Sequence, residues 1–251
     1  LTVFAESAFA RVFDFCFPRL CPACSTGFEG STVFCSGCEE EMEPLETADQ
    51  CPRCAIPLPT PAGLCPHCHD RGVPFISRVL CLNLFRGPMK QAIHQAKYHR
   101  SWPLVEQLSD RLNARRNLGR WLEGVDALVP VPLHSSRQRQ RGFNQAELIA
   151  RRIRHHHPWM KVISPVVRTR ATESQTQLGS RAKRQKNMQD AFALTDTRPL
   201  HGKHLVLVDD VMTSGATLIS VARVLQAAGP AKLSALVLCV ADPKGREFEV
   251  I

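Results

Sequence analysis

Eight of the eleven cysteines stand in four Cys-x-x-Cys pairs: Cys21/Cys24, Cys35/Cys38, Cys51/Cys54 and Cys65/Cys68. Each member of the first two pairs recurs 30 residues later, so the segment is an internal repeat of C-x2-C-x10-C-x2-C. A two-residue spacer lets both thiolates of a pair turn onto one metal ion. Two pairs then close a tetrahedral four-sulfur site with no open position, the arrangement of structural zinc. A thioredoxin-type redox motif would be a single pair opening a helix, a disulfide framework belongs to oxidising compartments, and iron–sulfur ligation has closer, asymmetric spacing. The spacing predicts two structural zinc ions in two zinc ribbons. Ligands can group sequentially or cross-brace, and the duplication favours the sequential grouping because each half is complete in itself. His67 and His69 flank the last pair and, with eight cysteines at hand, read as solvent-facing. Cys16, Cys81 and Cys239 lie in apolar surroundings and read as small core residues.

The second constellation is HLVLVDDVMTSGATLISVARVL, residues 204–225. An apolar run ends in Asp209 and Asp210, and a loop of hydroxyls and glycine (Thr213, Ser214, Gly215, Ala216, Thr217) then opens a helix. Backbone N–H groups and hydroxyls converge at such a helix N-terminus, where the dipole favours an anion, on the carboxyl edge of a parallel sheet. A phosphate fits that cradle. The two carboxylates would repel a second phosphate but can accept hydrogen bonds from the adjacent hydroxyls of a ribose. An ordinary strand–helix turn with a hydroxyl N-cap would account for Thr-Ser-Gly alone; the paired acids in front of it point to a phosphosugar.

These residues need a scaffold, and after the cysteine ladder the pattern changes to strands alternating with helices. Strands are expected at Arg78–Phe85, Ala127–Val131, Lys161–Val167, His204–Val208 and Leu233–Val240. Helices are expected at Met89–His99, Leu104–Arg116, Asn144–His157, Arg181–Gln189 and Thr217–Ala228, with a polar loop at 168–180. Such alternation argues for a mostly parallel sheet, and a segment of this length can bury its core. The division expected is an N-terminal amphipathic helix over 1–18, a double zinc-ribbon region over 19–75 and an α/β domain over 76–251. Charge divides the same way. Residues 1–75 carry four basic and ten acidic side chains (net −6), and the remainder 28 and 13 (net +15). Within 137–186 there are 13 basic residues to two acidic, the balance expected of a surface that meets phosphates. No stretch approaches the roughly 20 apolar residues that span a bilayer. Glu6, Arg11 and Asp14 interrupt the apolar N-terminus, which reads as an amphipathic helix rather than a signal peptide, so a cytoplasmic location is expected. His155–His157, beside Pro158 at a helix end, read as a solvated run that suits the dipole.

VLVDDVMTSGAT resembles the phosphoribosyl pyrophosphate (PRPP) motif of type I phosphoribosyltransferases, with Ser214 where a second threonine is common. Together with the cysteine ladder, the chain resembles the ComF/GntX family of competence and DNA-utilisation proteins. FPRLCPAC (17–24), AIHQAKYH (92–99), VPVPLHSSRQRQRGFNQAELIA (129–150) and RTRATESQTQLGSRAKRQKNMQDAFAL (168–194) extend the likeness over nearly the whole chain. Arg100 departs from it, where glycine often follows the Lys-Tyr pair.

The resemblance implies a type I phosphoribosyltransferase-like α/β fold, a mostly parallel sheet with helices on both faces, behind the double zinc-ribbon module. It implies a PRPP site spanning Asp209, Asp210, Val211, Met212, Thr213, Ser214, Gly215, Ala216 and Thr217. Thr213–Thr217 would cradle the 5′-phosphate and the two aspartates would hold the ribose hydroxyls. Val131 and Pro132 would form the pyrophosphate loop, 168–180 the covering loop, and Mg²⁺ would be held mostly by the ligand's oxygens. Lys97 and Arg141 are suited to stabilising a departing pyrophosphate. Three functions follow for the family's members. One is phosphoribosyl transfer to a nitrogen nucleophile, although no nucleobase-binding element is recognisable and the ribbons stand where such enzymes place their base-selecting hood. A second is handling of single-stranded DNA during uptake or recombination, through the ribbons and the 137–186 stretch, with Phe143, Trp159 and Tyr98 as stacking platforms. The third is a zinc adaptor that contacts competence or recombination proteins.

Overall fold

The computed structural model describes residues 19–42, 50–58, 65, 67–69, 71–170, 191–195 and 200–241. The expected helices over 1–18 and Arg181–Gln189, Cys16, and positions 171–180 of the expected loop lie outside the described residues.

Five strands form one sheet: β3 (Val79–Leu84), β4 (Ala127–Pro130), β5 (Lys161–Val162), β8 (His204–Met212) and β9 (Lys232–Val240). Their order is β3-β9-β8-β4-β5 and every pairing is parallel. The central strands read as near-continuous apolar runs because a parallel sheet is covered on both faces. Side chains alternate between those faces. Cys81, Val129, Leu205, Leu207, Ala235 and Val237 enter one core; Leu80, Leu128, Val206, Val208, Leu236 and Leu238 enter the other.

Helices cover the second core. They are α2 (Gly87–Tyr98), α3 (Trp102–Asn113) and α6 (Gln145–His156), following a short α1 (Ser36–Glu41) in the first ribbon, α4 (Leu118–Trp121) and α5 (Ser135–Arg141). Leu104, Leu108 and Leu112 recur at i, i+4 and i+8 on α3, and Ala146, Ile149, Ala150 and Ile153 form the matching stripe on α6, so each helix buries one face. On the first core lie α7 (Ala216–Gln226), through Leu218, Val221, Ala222 and Leu225, and the antiparallel pair β6 (Val166–Arg168) and β7 (Phe192–Leu194).

The ribbons complete both layers. The first, with β1 (Arg19–Leu20) paired antiparallel to β2 (Gly27–Phe28), joins the helical core through Cys21, Phe34, Cys38 and Met42. Arg111 fastens it there, donating to Glu39 at 2.5 Å with its guanidinium over the Phe34 ring. The second ribbon enters the opposite core through Cys51, Cys54, Ala55, Ile56, Cys65 and Cys68. It also covers the open edge of β3, where Val79 N–H donates to the Pro52 carbonyl and the Cys81 thiol donates to Gln50 Oε1. A covered edge cannot pair with another chain. Cys81 and Cys239 are wholly buried.

Three expectations are corrected. Lys161–Val167 is not one strand: Pro165 has no N–H to give a ladder, so β5 ends at Val162 and the chain restarts in β6. The strand expected at His204–Val208 runs on to Met212, because β9 continues beside it as far as Val240. The Ser135–Arg141 helix was not expected from its uniformly polar sequence, which has no apolar face. His134 caps it, its side chain accepting from Ser136 N–H, and Gly142 (φ +83°) closes it.

Candidate functional site

The carboxyl end of β8 carries both aspartates inside the strand, so alternation turns them to opposite faces. Asp210 meets α2: its Oδ2 lies 2.8 Å from Lys97 Nζ, and both side chains are mostly buried. Asp209 accepts the Asp210 N–H at 2.9 Å. Burial first, and then the neighbouring Asp210 charge, push the Asp209 carboxyl up to about 7, against the pull of Lys97 and Arg168. After Met212 the chain turns through Thr213, Ser214 and Gly215. Gly215 adopts a left-handed φ of +72° and occupies the N-cap position of α7 without any side-chain cap. A side chain there would be strained, and no side chain caps the first turn of α7. The Ser214 hydroxyl is buried and has no hydrogen-bond partner among the described residues. A buried hydroxyl left unpaired is costly, and a phosphate oxygen in this loop would satisfy it.

Across the carboxyl edge, Val131 is tied twice. Its N–H donates to Val208 at 2.9 Å, and its carbonyl accepts from Asn144 Nδ2 at 3.0 Å. Asn144 also caps α6, accepting the Ala146 N–H. The Arg-Gly-Phe-Asn-Gln segment thus has a structural meaning: it ends one helix, starts the next and holds the 131–132 turn. Arg141 donates to Gln145 Oε1 at 3.3 Å, while Gln145 Nε2 is buried with no partner among the described residues. Three guanidinium groups gather here. Burial, followed by repulsion from Arg137, lowers Arg168 to about 10, with Asp209 opposing and Arg141 adding to the repulsion. Burial and Arg141 lower Arg137 as well. Lys97 and Arg141 were expected at the site; Arg137 and Arg168 were not. The signal was available for one of them, since Arg137 and Arg141 stand at i and i+4 of a helix that was not foreseen. Arg168 arrives from a separate hairpin, and no local spacing announces it.

The two cysteine groups are zinc-binding sites of four sulfurs each. Cys21, Cys24, Cys35 and Cys38 bring their sulfurs within 4.8 Å of one another, as do Cys51, Cys54, Cys65 and Cys68. The ligands therefore group sequentially. Sulfur–sulfur distances of 3.6 Å (Cys24–Cys35), 3.6 Å (Cys51–Cys68) and 3.7 Å (Cys54–Cys65) match the edge of about 3.8 Å set by a tetrahedron with Zn–S near 2.3 Å. The repeat extends to the backbone. Cys21 N–H donates to Thr26 and Cys51 N–H to Ile56, while Ser25 (φ +62°) and Ala55 (φ +58°) take the same left-handed knuckle conformation. His69 is exposed and the sulfur sets are complete without it. The sites differ in setting: the second is buried at all four cysteines, whereas Cys24 in the first is exposed. Of the histidine run, His156 Nε2 lies 2.8 Å from Asp110 at the end of α6 and His155 is exposed.

A phosphoribosyltransferase-type parallel α/β domain behind a pair of four-cysteine zinc ribbons is the class that this fold and site define. Family models match accordingly, a double zinc ribbon domain over residues 12–69 and a phosphoribosyl transferase domain over 139–250. The chain is 33% identical over 230 residues to the DNA utilization protein YhgH of Escherichia coli K12, covering 88% of this chain and 97% of that protein. The protein of the same name from Salmonella typhimurium is 32% identical over 210 residues, 82% and 89% of the two chains. Competence protein F of Haemophilus influenzae is 28% identical over 204 residues, 78% and 85% of the two. The chain belongs to the ComF/GntX family of DNA-utilisation and competence proteins. Among the described residues no helix is long and apolar enough to cross a membrane.

Two outcomes are expected. Purified protein should carry two zinc equivalents, and a colorimetric chelator should remove one quickly from the exposed first site and the other only as the core opens. Cys24→Ser should lose one equivalent and keep the sheet, while Cys54→Ser should abolish cooperative unfolding; equal release rates would contradict the difference in burial. The second outcome concerns Asp209. Its raised pKa means that its contribution to stability is fully present below about pH 4 and is lost as pH rises through about 7. Asp209→Asn should therefore raise the melting temperature at pH 8 by about 2–4 °C or more. The gain should shrink at pH 5, as thermal melts at the two pH values would record.

Proposed function

We propose that the chain binds PRPP, or a closely related phosphoribosyl ligand, together with Mg²⁺. It would serve DNA uptake or utilisation through that site. The observation that carries this reading is the buried Ser214 hydroxyl in the glycine turn, with no hydrogen-bond partner among the described residues, at the end of the strand that bears the two carboxylates. In this reading Thr213–Thr217 hold the 5′-phosphate at the N-terminus of α7, where backbone N–H groups and the dipole favour an anion. Asp209 and Asp210 accept hydrogen bonds from the ribose hydroxyls, and Lys97 holds Asp210 in place. Arg137, Arg141, Arg168 and the free Gln145 amide face the pyrophosphate, beside the turn at Val131 and Pro132 that Asn144 secures. Mg²⁺ would be held mostly by the ligand's own oxygens and would neutralise pyrophosphate charge.

The chemistry such a site supports is cleavage of the C1–O bond. Pyrophosphate leaves with the electron pair, the guanidinium cluster stabilises the charge that develops on it, and a nitrogen lone pair attacks C1 before losing its proton. Exclusion of water protects the ribosyl cation. Calorimetry with PRPP and Mg²⁺ is the test. Wild type should bind, Asp209→Asn/Asp210→Asn should lose binding, and Arg168→Ala should weaken PRPP far more than ribose 5-phosphate. Absence of heat with wild type would sink the assignment; binding without pyrophosphate release across bases and amines would leave a binding protein rather than a transferase.

A second reading, contact with single-stranded DNA, is favoured by one surface. At the end of α6, Arg154 and His155 are exposed beside Trp159, which is 66% exposed and packs edge-on against His157 at 4.9 Å. The names of the relatives accord with it. Oligonucleotide affinity should fall steeply with salt. Arg154→Ala should reduce the log–log slope by about 1, and Trp159→Ala should lower affinity without changing that slope. Salt-insensitive or absent binding would remove this reading.

A further inference from the structure

Beside the proposed phosphoribosyl site stands a ladder of aromatic rings, of which only Tyr98 has been given a part above, as a stacking platform for single-stranded DNA. Phe85 follows β3, and the His94 ring stacks on it at 6.1 Å between centroids with 21° between planes. The Tyr98 ring, one helical turn further along α2, lies over His94 at 5.6 Å and 42°. These separations are those of favourable ring pairs. The ladder runs from partly buried at Phe85 to 63% exposed at Tyr98, the only tyrosine in the chain. Burial, reinforced by Lys97 and Lys90, lowers the His94 pKa and so favours the neutral ring.

Its place in the fold gives it meaning. Lys97, which grips Asp210 at 2.8 Å, is the neighbour of Tyr98 and lies on the same side of α2 as His94. Along the carboxyl edge of the sheet, Ala241 N–H donates to the carbonyl of Met212 at the end of β8, and Phe85 N–H donates to the carbonyl of Val240 at the end of β9. Phe85 therefore stands two strand spacings from the end of β8, about 10 Å. Passing from the Ser214 turn across the edge, the groups come in the order anion cradle, twin carboxylates, cation, rings. That is the order phosphate, ribose diol, ring in a ribonucleotide.

We infer that Phe85, His94 and Tyr98 form the ring-binding subsite of this cleft and that its occupant is the planar heteroaromatic base of a ribonucleotide, stacked on the exposed face of Tyr98. The ring is the acceptor before transfer and part of the nucleotide product after it. A stacking face accepts any base, since each has a π-surface, and the absence of a hydrogen-bonding base pocket recognisable in the sequence agrees with that tolerance. Arg100, which bridges from this end of α2 to the Gln140 carbonyl of α5, borders the subsite.

The inference rests on the phosphoribosyl reading, and the test separates the two. Ribose 5-phosphate, which has no ring, and the adenosine and guanosine 5′-monophosphates are titrated calorimetrically into wild type, Tyr98→Phe and Tyr98→Ala, with PRPP as the reference ligand. Wild type should bind the nucleotides about 10-fold or more tighter than ribose 5-phosphate, the scale of one base stacked on one aromatic ring, and ribose 5-phosphate should compete with them. Tyr98→Phe should keep that ratio and Tyr98→Ala should bring it near one, with ribose 5-phosphate and PRPP affinities unchanged in both. If PRPP and ribose 5-phosphate bind but the nucleotide ratio ignores Tyr98→Ala, the ring subsite is wrong and the phosphoribosyl reading stands. If none of these ligands binds wild type, both fall. If Tyr98→Ala weakens only an oligothymidylate strand, the ladder serves nucleic acid instead and the inference is overturned.

Discussion

A parallel sheet has two faces to bury, and how this chain covers them sets everything else. Helices α2, α3 and α6 supply a full layer on one side, but among the described residues the other side has one long helix, α7, and a small hairpin. The second zinc ribbon makes up the difference. Its four cysteines are core residues of the sheet as well as ligands, and its backbone caps the β3 edge. Metal binding is therefore part of the folding free energy of the α/β domain, not the property of an appendage. The first ribbon plays the same part less deeply, held by Phe34, Cys38 and the Arg111–Glu39 contact.

The same packing brings the second ribbon to the Gly215 turn. Val73, just past the last cysteine pair, lies 3.6 Å from where a Cβ on Gly215 would sit. The left-handed φ of +72° is what calls for glycine at this position. The turn is thus bordered by the ribbon on one side and the end of β8 on the other. Groups of both charges surround it. Asp210 is paired with Lys97, burial and the Asp210 charge push Asp209 up to about 7, and burial with added repulsion lowers Arg168 and Arg137. Burying like charges together is unfavourable, and the polyanionic diol proposed above would offset that cost. Strain of this kind is a mark of a functional site.

Much of this was legible in the sequence wherever a local pattern carried the information. The 30-residue cysteine period encodes two identical knuckles, down to the matching left-handed residues at 25 and 55. The apolar run before Asp209 encodes a central strand, and Leu104, Leu108 and Leu112 encode a helix with one buried face. What escaped was non-local. The α5 helix has no apolar stripe, because it sends no apolar side chain into either core. The break at Pro165 was readable as chemistry, but the antiparallel partner that captures β6, Phe192–Leu194, lies over twenty residues away. Arg168 joins Arg137 and Arg141 only because that hairpin folds back over the first core, and spacing cannot express such an encounter.

The ribbons and the ring ladder bear on one question from different directions. In the described residues the zinc module covers the sheet and brings Val73 against the Gly215 turn. Selectivity for a particular base would require base-reading donors, since stacking alone discriminates weakly while an unpaired buried polar group discriminates strongly. The chain instead places its polar groups where phosphate and ribose would lie and leaves an exposed aromatic ring beyond them. Under the proposed reading, a site built in that proportion would fix the phosphosugar and tolerate variety in the base. It would differ in that from a site committed to a single base.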